Sequence, residues 1–246
     1  MRKIKVLTRF ISLLITGSVL LSSPAMANTA IQQAVDSPTR SDNNRARDVY
    51  RHPQETLAFF GIKPDMHVLE ILPGGGWYTE ILAPLLKDKG QLTAASFGEN
   101  NPNDYLRGIH LRFIEMLDSK PEVYGKVKRD LFQTETYLPN IADNSQDMVL
   151  TFRNTHNWIR FGGIEEAYQA MHRVLKKGGV LGVVQHRADP GSNAKDSAQK
   201  GYVPETYLIK LLEDIGFELV EKSEINANPK DTKDYHEGVW SLPPSY

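Results

Sequence analysis

Residues 68–86 read VLEILPGGGWYTEILAPLL, and the order of residue types in this stretch decides the fold. Val68, Leu69 and Ile71 make an apolar, strand-like run that stops at Pro73-Gly74-Gly75-Gly76. Beyond the glycines, Tyr78, Ile81, Leu82, Leu85 and Leu86 recur at helical spacing. A strand that passes through a glycine turn into a helix is how open α/β sheets build a nucleotide cradle. Glycine lets a ligand approach the backbone, and the helix start offers free N–H groups. A tight turn with no ligand is the plainer reading of the same residues.

The same rhythm extends in both directions. Pro53 suits the first position of a short helix ending at Gly61, with Leu57, Ala58 and Phe60 on its buried face. The pattern predicts strands at 66–72, 91–96, 126–131, 147–152, 180–185 and 217–225, and helices at 77–88, 104–118, 163–176 and 204–215. Pro84 should bend the first of these helices. Ile164, Ala167, Tyr168, Met171, Val174 and Leu175 form the clearest apolar stripe. Residues 186–202 read as a long polar loop. Such alternation predicts an α/β fold: a doubly wound, mostly parallel Rossmann-like sheet in one domain over 45–246, with strand one central and the glycine turn at the switch point.

The N-terminus reads differently. Arg2, Lys3, Lys5 and Arg9 precede an apolar run from Phe10 to Leu21, and Ala25-Met26-Ala27 has the pattern of a cleavage site. Residues 1–27 are thus expected to be a signal peptide that exports the chain to the periplasm or medium. A retained anchor is the competing reading, although the run is shorter than the ~20 residues a spanning helix needs. Residues 28–44 are polar, without apolar period, and read as a flexible leader. The sequence contains no cysteine, so no disulfide supports the fold.

Charge and motif spacing exclude several functions. The chain holds 29 basic and 30 acidic residues, and four of the basic ones lie in the signal, leaving the remainder mildly acidic. A nucleic-acid partner would require a basic stripe. Lys126, Lys128 and Arg129 read instead as a solvated strand edge. A dinucleotide fingerprint fails because Thr79 stands at its third glycine and Ser96 where its acid would fall. No triphosphate loop, G-x-S-x-G elbow or paired histidine motif occurs.

Glu70, Gly74 and Gly76 fit the E-x-G-x-G-x-G turn of class I S-adenosylmethionine (SAM) methyltransferases, with Leu72 at its first glycine. Leu175-Lys176-Lys177-Gly178-Gly179 resembles the element before their fifth strand, and Gly216-Phe217 the entry to their sixth. The chain is also similar to a family of exported predicted methyltransferases. The shared marks are Arg51-His52-Pro53, the Pro73–Glu80 turn, and Arg153-Asn154-Thr155-His156-Asn157-Trp158.

The resemblance implies SAM as cofactor and a small-molecule methyl acceptor. Glu70 would order the turn or meet the ligand amine through water, and Gly74, Gly75 and Gly76 would pass beneath the methionine part. Ser96 or Glu99 would face the ribose and Asp130 the adenine. Asn154 joins this cofactor-binding set. Trp77 and Trp158 would form an apolar wall against the sulfonium, or pack in the core. His156 would take a proton from the nucleophile, or be a loop histidine bonded to backbone. Arg51 and His52 would form a lid or cap a helix. The fold's closing strand looks missing or very short. Val239, Trp240 and Leu242 would then cover the sheet edge, or a second copy would pair there. Because Leu72 and Ser96 depart from the pattern, an inactive binding or scaffold protein is the alternative.

Overall fold

A computed structural model describes residues 24–132 and 137–242. The chain runs α1 (Pro24–Val35), α2 (Asp42–Arg45), α3 (Asp48–Arg51), α4 (Pro53–Phe60), β1 (His67–Ile71), α5 (Thr79–Leu86) and β2 (Gln91–Ser96). It continues through α6 (Asp104–Ser119), α7 (Pro121–Tyr124), β3 (Lys128–Leu131), β4 (Gln146–Phe152) and α8 (Thr155–Phe161). The last elements are α9 (Ile164–Val174), β5 (Leu175–Val184), α10 (Ala194–Gln199), α11 (Glu205–Ile215) and a 3-10 turn at Gly238–Ser241. The strands form one sheet in the order β3-β2-β1-β4-β5, all parallel. β1 is therefore central, as expected from its nearly continuous apolar run.

Side chains alternate across the sheet and build two cores. Val68, Leu92, Met148 and Leu150 face α1, α4, α5 and α6, while Leu69, Ile71, Ala95 and Val149 face α8, α9 and α11. Lys128 and Arg129 do lie on a solvated strand edge, where Arg129 pairs with Asp118. The parallel register brings the carboxyl ends of β1, β2 and β4 to one rim, where ligands of such sheets sit.

Four expectations need correction. The stretch expected to be a flexible leader instead contributes α1, whose Ile31, Ala34 and Val35 are buried in the first core. Sparse apolar residues hid this helix, because one short stripe is enough when α4 and α5 supply the other side. The polar loop at 186–202 contains α10, started by Asn193, whose side chain accepts from the Lys195 and Asp196 N–H groups.

Residues 217–225 form no strand. Phe217 packs edge-on against His172, and the stretch is held by Lys222–Glu205 and Arg187–Glu224 ion pairs. In the family pattern the strand beside it is the closing one, and among the described residues that strand is absent. Without it this backbone has no ladder to join. The tail also runs elsewhere than along the sheet edge. Val239 N–H donates to the Lys200 carbonyl at 2.9 Å, and the Trp240 ring meets His156 and Arg160 on α8.

The proposed signal lies mostly outside the described residues. Among those described, no helix is long and apolar enough to cross a membrane.

Ile31 is 1% exposed. Ile31→Ala should therefore cost about 2–4 kcal/mol in urea unfolding, the range for a buried isoleucine truncation. A loss below about 0.5 kcal/mol, the surface-substitution range, would show that α1 does not belong to the fold.

Candidate functional site

The glycine turn after β1 is shaped by backbone conformation. Leu72, where the family pattern has glycine, adopts a left-handed φ of 49°, followed by Gly74 at 62° and Gly76 at 82°. A leucine there costs about 1 kcal/mol relative to glycine. Its N–H is nonetheless fixed to the Ala95 carbonyl at 2.8 Å, so the chain follows the glycine path without the glycine. At Gly76 a Cβ would lie 2.1 Å from Met116 Cε, so this glycine serves close packing onto α6. Above Gly74 and Gly75 a Cβ would meet nothing within 4 Å. That open space is where a ligand could lie against the backbone.

The four residues after the glycines each fasten the turn to a different partner. Trp77 donates from Nε1 to the Asn44 carbonyl at 2.9 Å, with Arg51 4.5 Å and Arg40 5.3 Å from its ring centroid. Tyr78 stacks on Phe152 at the end of β4, with centroids 3.5 Å apart. Thr79 Oγ1 donates to Glu70 Oε2 at 2.6 Å, and Glu80 accepts from the Ser41 N–H at 3.1 Å. Glu70 therefore orders the turn. It is almost fully buried, and that burial, partly offset by the Thr79 hydroxyl, raises its pKa to about 7.

Ser96 is buried at the end of β2, and Glu99 is exposed in the loop that follows. Asp130 lies within β3, and its Oδ1 accepts from Asn140 at 3.1 Å. Asn154 donates from Nδ2 to the Ile71 carbonyl at 3.1 Å and to Thr151 Oγ1 at 3.2 Å, stapling the end of β4 to that of β1. Glu70, Gly74–Gly76, Ser96, Asp130 and Asn154 thus share one rim.

The two tryptophans do not form one wall. Trp77 belongs to the core on the α5 face and Trp158 to the core on the opposite face, against Phe132 and Tyr168. His52, with φ 40°, forms the corner between α3 and α4, and Arg51 lies on Trp77.

His156 is buried on α8 beneath Trp240. Burial lowers its pKa to about 4, so it is neutral at pH 7. The Gln185 amide donates to the Gly201 carbonyl at 2.8 Å, which fixes its orientation and turns its NH2 toward His156 Nδ1 at 3.4 Å. Nδ1 then accepts and the proton sits on Nε2, a tautomer ill suited to taking another proton. The expectations were a proton acceptor or a loop histidine bonded to backbone; His156 lies instead on a helix, and its burial makes it a weak base.

Sequence reasoning missed the convergence of the three motifs. Arg51 meets Trp77, Tyr78 meets Phe152, and Arg153 follows Phe152 with a left-handed φ of 61°. Motif order along the chain carries no signal of that meeting. Among the described residues, no group of histidine and acidic side chains is placed to hold a metal ion. An open cavity of about 530 Å³ between α1 and the turn after it, lined by Gln32, Asp36 and Pro38, lies away from the glycine turn.

No family model matches the chain. It is 27% identical over 208 residues to a sterol 24-C-methyltransferase of Yarrowia lipolytica, covering 77% of this chain and 50% of that protein. The chain thus spans about half the length of this curated relative. A SAM-dependent methyltransferase from Aquifex aeolicus superposes with a TM-score of 0.56 at 18% identity, over 79% of this chain and 90% of that one. The chain has the class I methyltransferase fold. The [4+2]-cyclase SpnF also superposes, with a TM-score of 0.51 at 17% identity, over 79% of this chain and 71% of that one. A likeness at this level concerns architecture, so activity must be argued from the site.

The shifted groups make stability depend on pH in opposite senses. Glu70 favours the folded state when protonated, so its contribution is full below pH 4.5 and is lost as pH rises through about 7. The neutral His156 and His186, both lowered to about 4 by burial, stabilise above 6.5 and lose that contribution as pH falls through about 4. Glu70→Gln should therefore be near neutral at pH 5 and stabilising by about 3 kcal/mol at pH 8 in urea unfolding. An effect equal at both pH values would place the Glu70 pKa in the ordinary range.

Proposed function

We propose that this protein is a SAM-dependent methyltransferase acting on a small molecule. The open space above Gly74 and Gly75, over a turn that keeps the glycine path even at Leu72, carries this reading. The sterol methyltransferase similarity supports it. The residues present fit the group: Gly74–Gly76 would hold the methionine part, with Glu70 keeping the turn in shape from below. Ser96 and Glu99 would hold the ribose end, and Asp130 the adenine side. When bound, SAM would supply an electrophilic sulfonium methyl group, which a nucleophile accepts in line as the C–S bond breaks and the neutral thioether, demethylated SAM, leaves.

The protein's contribution is then mainly placement. The Tyr78–Phe152 stack and the Asn154 staple fix the ends of β1 and β4 against each other, so that a ligand bound across them is held in one orientation. His156, neutral and tied to Gln185, would act as a positioning residue. Trp240 and the tail above it limit solvent access.

Titration calorimetry with SAM and its demethylated product tests this. The unaltered protein should bind both with micromolar to submillimolar affinity, a typical range for small ligands. Gly75→Leu should abolish binding while shifting Tm by less than about 2 °C, because Gly75 is exposed, its φ is ordinary and a Cβ added there meets no atom within 4 Å. Absence of heat from the unaltered protein at millimolar ligand would overturn the reading.

We further propose export, with cleavage after Ala27, and self-association through the open β5 edge. Cleavage would trim the start of α1 and leave Ile31, Ala34 and Val35 in place. N-terminal sequencing of the exported form should give Asn28. An intact Met1 in the membrane fraction would show a retained anchor.

A further inference from the structure

Arg47, Arg51 and Arg153 lie within electrostatic reach of one another, where Arg51 rests on Trp77 and the adjacent Tyr78 stacks on Phe152, the residue before Arg153. Arg51 is nine-tenths buried, and its guanidinium has no hydrogen bond or ion pair among the described residues, only the face of Trp77 at 4.5 Å. Arg153 leaves β4 on left-handed backbone, and its side chain likewise has no such partner. Arg47 keeps a buried Nε without a hydrogen-bond partner.

The groups facing them do not neutralise this charge. Asp48 is already engaged by Arg40 through two bonds of 2.7 and 2.8 Å. Tyr78 and His186 also face the cluster, and burial raises the Tyr78 pKa to about 12 and lowers that of His186, leaving both neutral. Arg51 itself is lowered to about 8 by burial, with Arg153 and Arg47 adding to the effect. Several guanidiniums partly removed from water and lacking a carboxylate are costly unless a ligand supplies the charge.

We propose that Arg47, Arg51 and Arg153 form an anion subsite for a methyl acceptor that carries a phosphate or two carboxylates. This rests on the methyltransferase reading. The charge balance selects the acceptor over the cofactor. SAM carries a sulfonium and an ammonium against one carboxylate, and so brings a net positive charge to a site already cationic. A dianion neutralises the cluster, and arginine's planar fork suits phosphate and carboxylate oxygens. Anchored there, the acceptor lies beside the Gly74–Gly76 turn, on the side where Tyr78 joins β1 to β4. The sequence shows only Arg51 and Arg153 in two separate motifs, and Arg47 in neither.

The test is calorimetric titration of the exported form with inorganic phosphate and with malonate. It is run at matched ionic strength against chloride, with and without saturating demethylated SAM. Both probes should bind, and should still bind with the cofactor product present. Arg47→Gln and Arg153→Asn should each weaken them about tenfold or more, the loss expected for a charge-assisted contact. Affinity for the cofactor product should stay within about twofold. Asparagine suits the left-handed backbone at 153, and half-exposed Arg47 is a second site whose loss should leave folding intact. Tm of Arg153→Asn should hold or rise, as expected when an uncompensated charge is removed.

The proposal is overturned if neither anion binds, or if both variants bind them as the unaltered protein does. It is also overturned if the cofactor product displaces the anions and the variants weaken that product, which would assign the arginines to the cofactor's carboxylate. Anion binding that survives alongside a complete lack of SAM binding would instead remove the methyltransferase reading and leave the subsite standing.

Discussion

The hydroxyl of Thr79, donating to the buried carboxylate of Glu70 at 2.6 Å, closes a loop around the glycine turn between residues nine positions apart. Everything on the rim depends on that closure. It fixes the start of α5 relative to the end of β1, and so sets where Trp77, Tyr78 and Glu80 point. Each then holds a different part of the chain: Asn44 and Ser41 in the N-terminal arm, and Phe152 at the end of β4. The cost is an acid buried in the sheet, accepted because protonation or the Thr79 bond can satisfy it.

The N-terminal arm is fastened by side chains more than by extensive apolar burial. Arg40 reaches the Val35 carbonyl and both oxygens of Asp48, while its guanidinium also covers one side of the Trp77 ring. Arg51 approaches the same ring. The tail closes from the other direction, through Asn226 on Thr56, Asp231 on the Tyr202 hydroxyl and Trp240 on His156. Two segments far apart in the sequence thus flank the rim, while the space above Gly74 and Gly75 stays open. Burial beside the tail lowers the pKa values of His156 and His186.

The fold was legible because its signals are local. Apolar strand runs and the helical stripe of α9 are set by a few neighbouring residues, and the glycine turn identifies itself. The outlines of β2, α4 and α6 followed from periodicity and from Pro53 and Gly61 at the ends of α4. Residues 217–225 misled for the opposite reason. Their composition suits a strand, but strand formation requires a partner, and composition does not show whether one exists. The helix α1 was missed because Ile31, Ala34 and Val35 are too few to mark a period, yet enough to fill a groove between α4 and α5.

The sequence by itself determined the sheet's alternation, the central place of β1, the turn at Gly74–Gly76 and the candidate cofactor residues along the rim. These follow from residue type and spacing within a dozen positions. Only the tertiary structure decided that Leu72 takes glycine's conformation, that Trp77 and Trp158 lie on opposite faces, and that His156 is neutral beneath Trp240. It alone brought Arg51 and Arg153, about a hundred positions apart, to the same rim as Tyr78. Backbone strain, side-chain facing and electrostatic environment depend on contacts between distant segments. Those contacts exist only once the chain has folded.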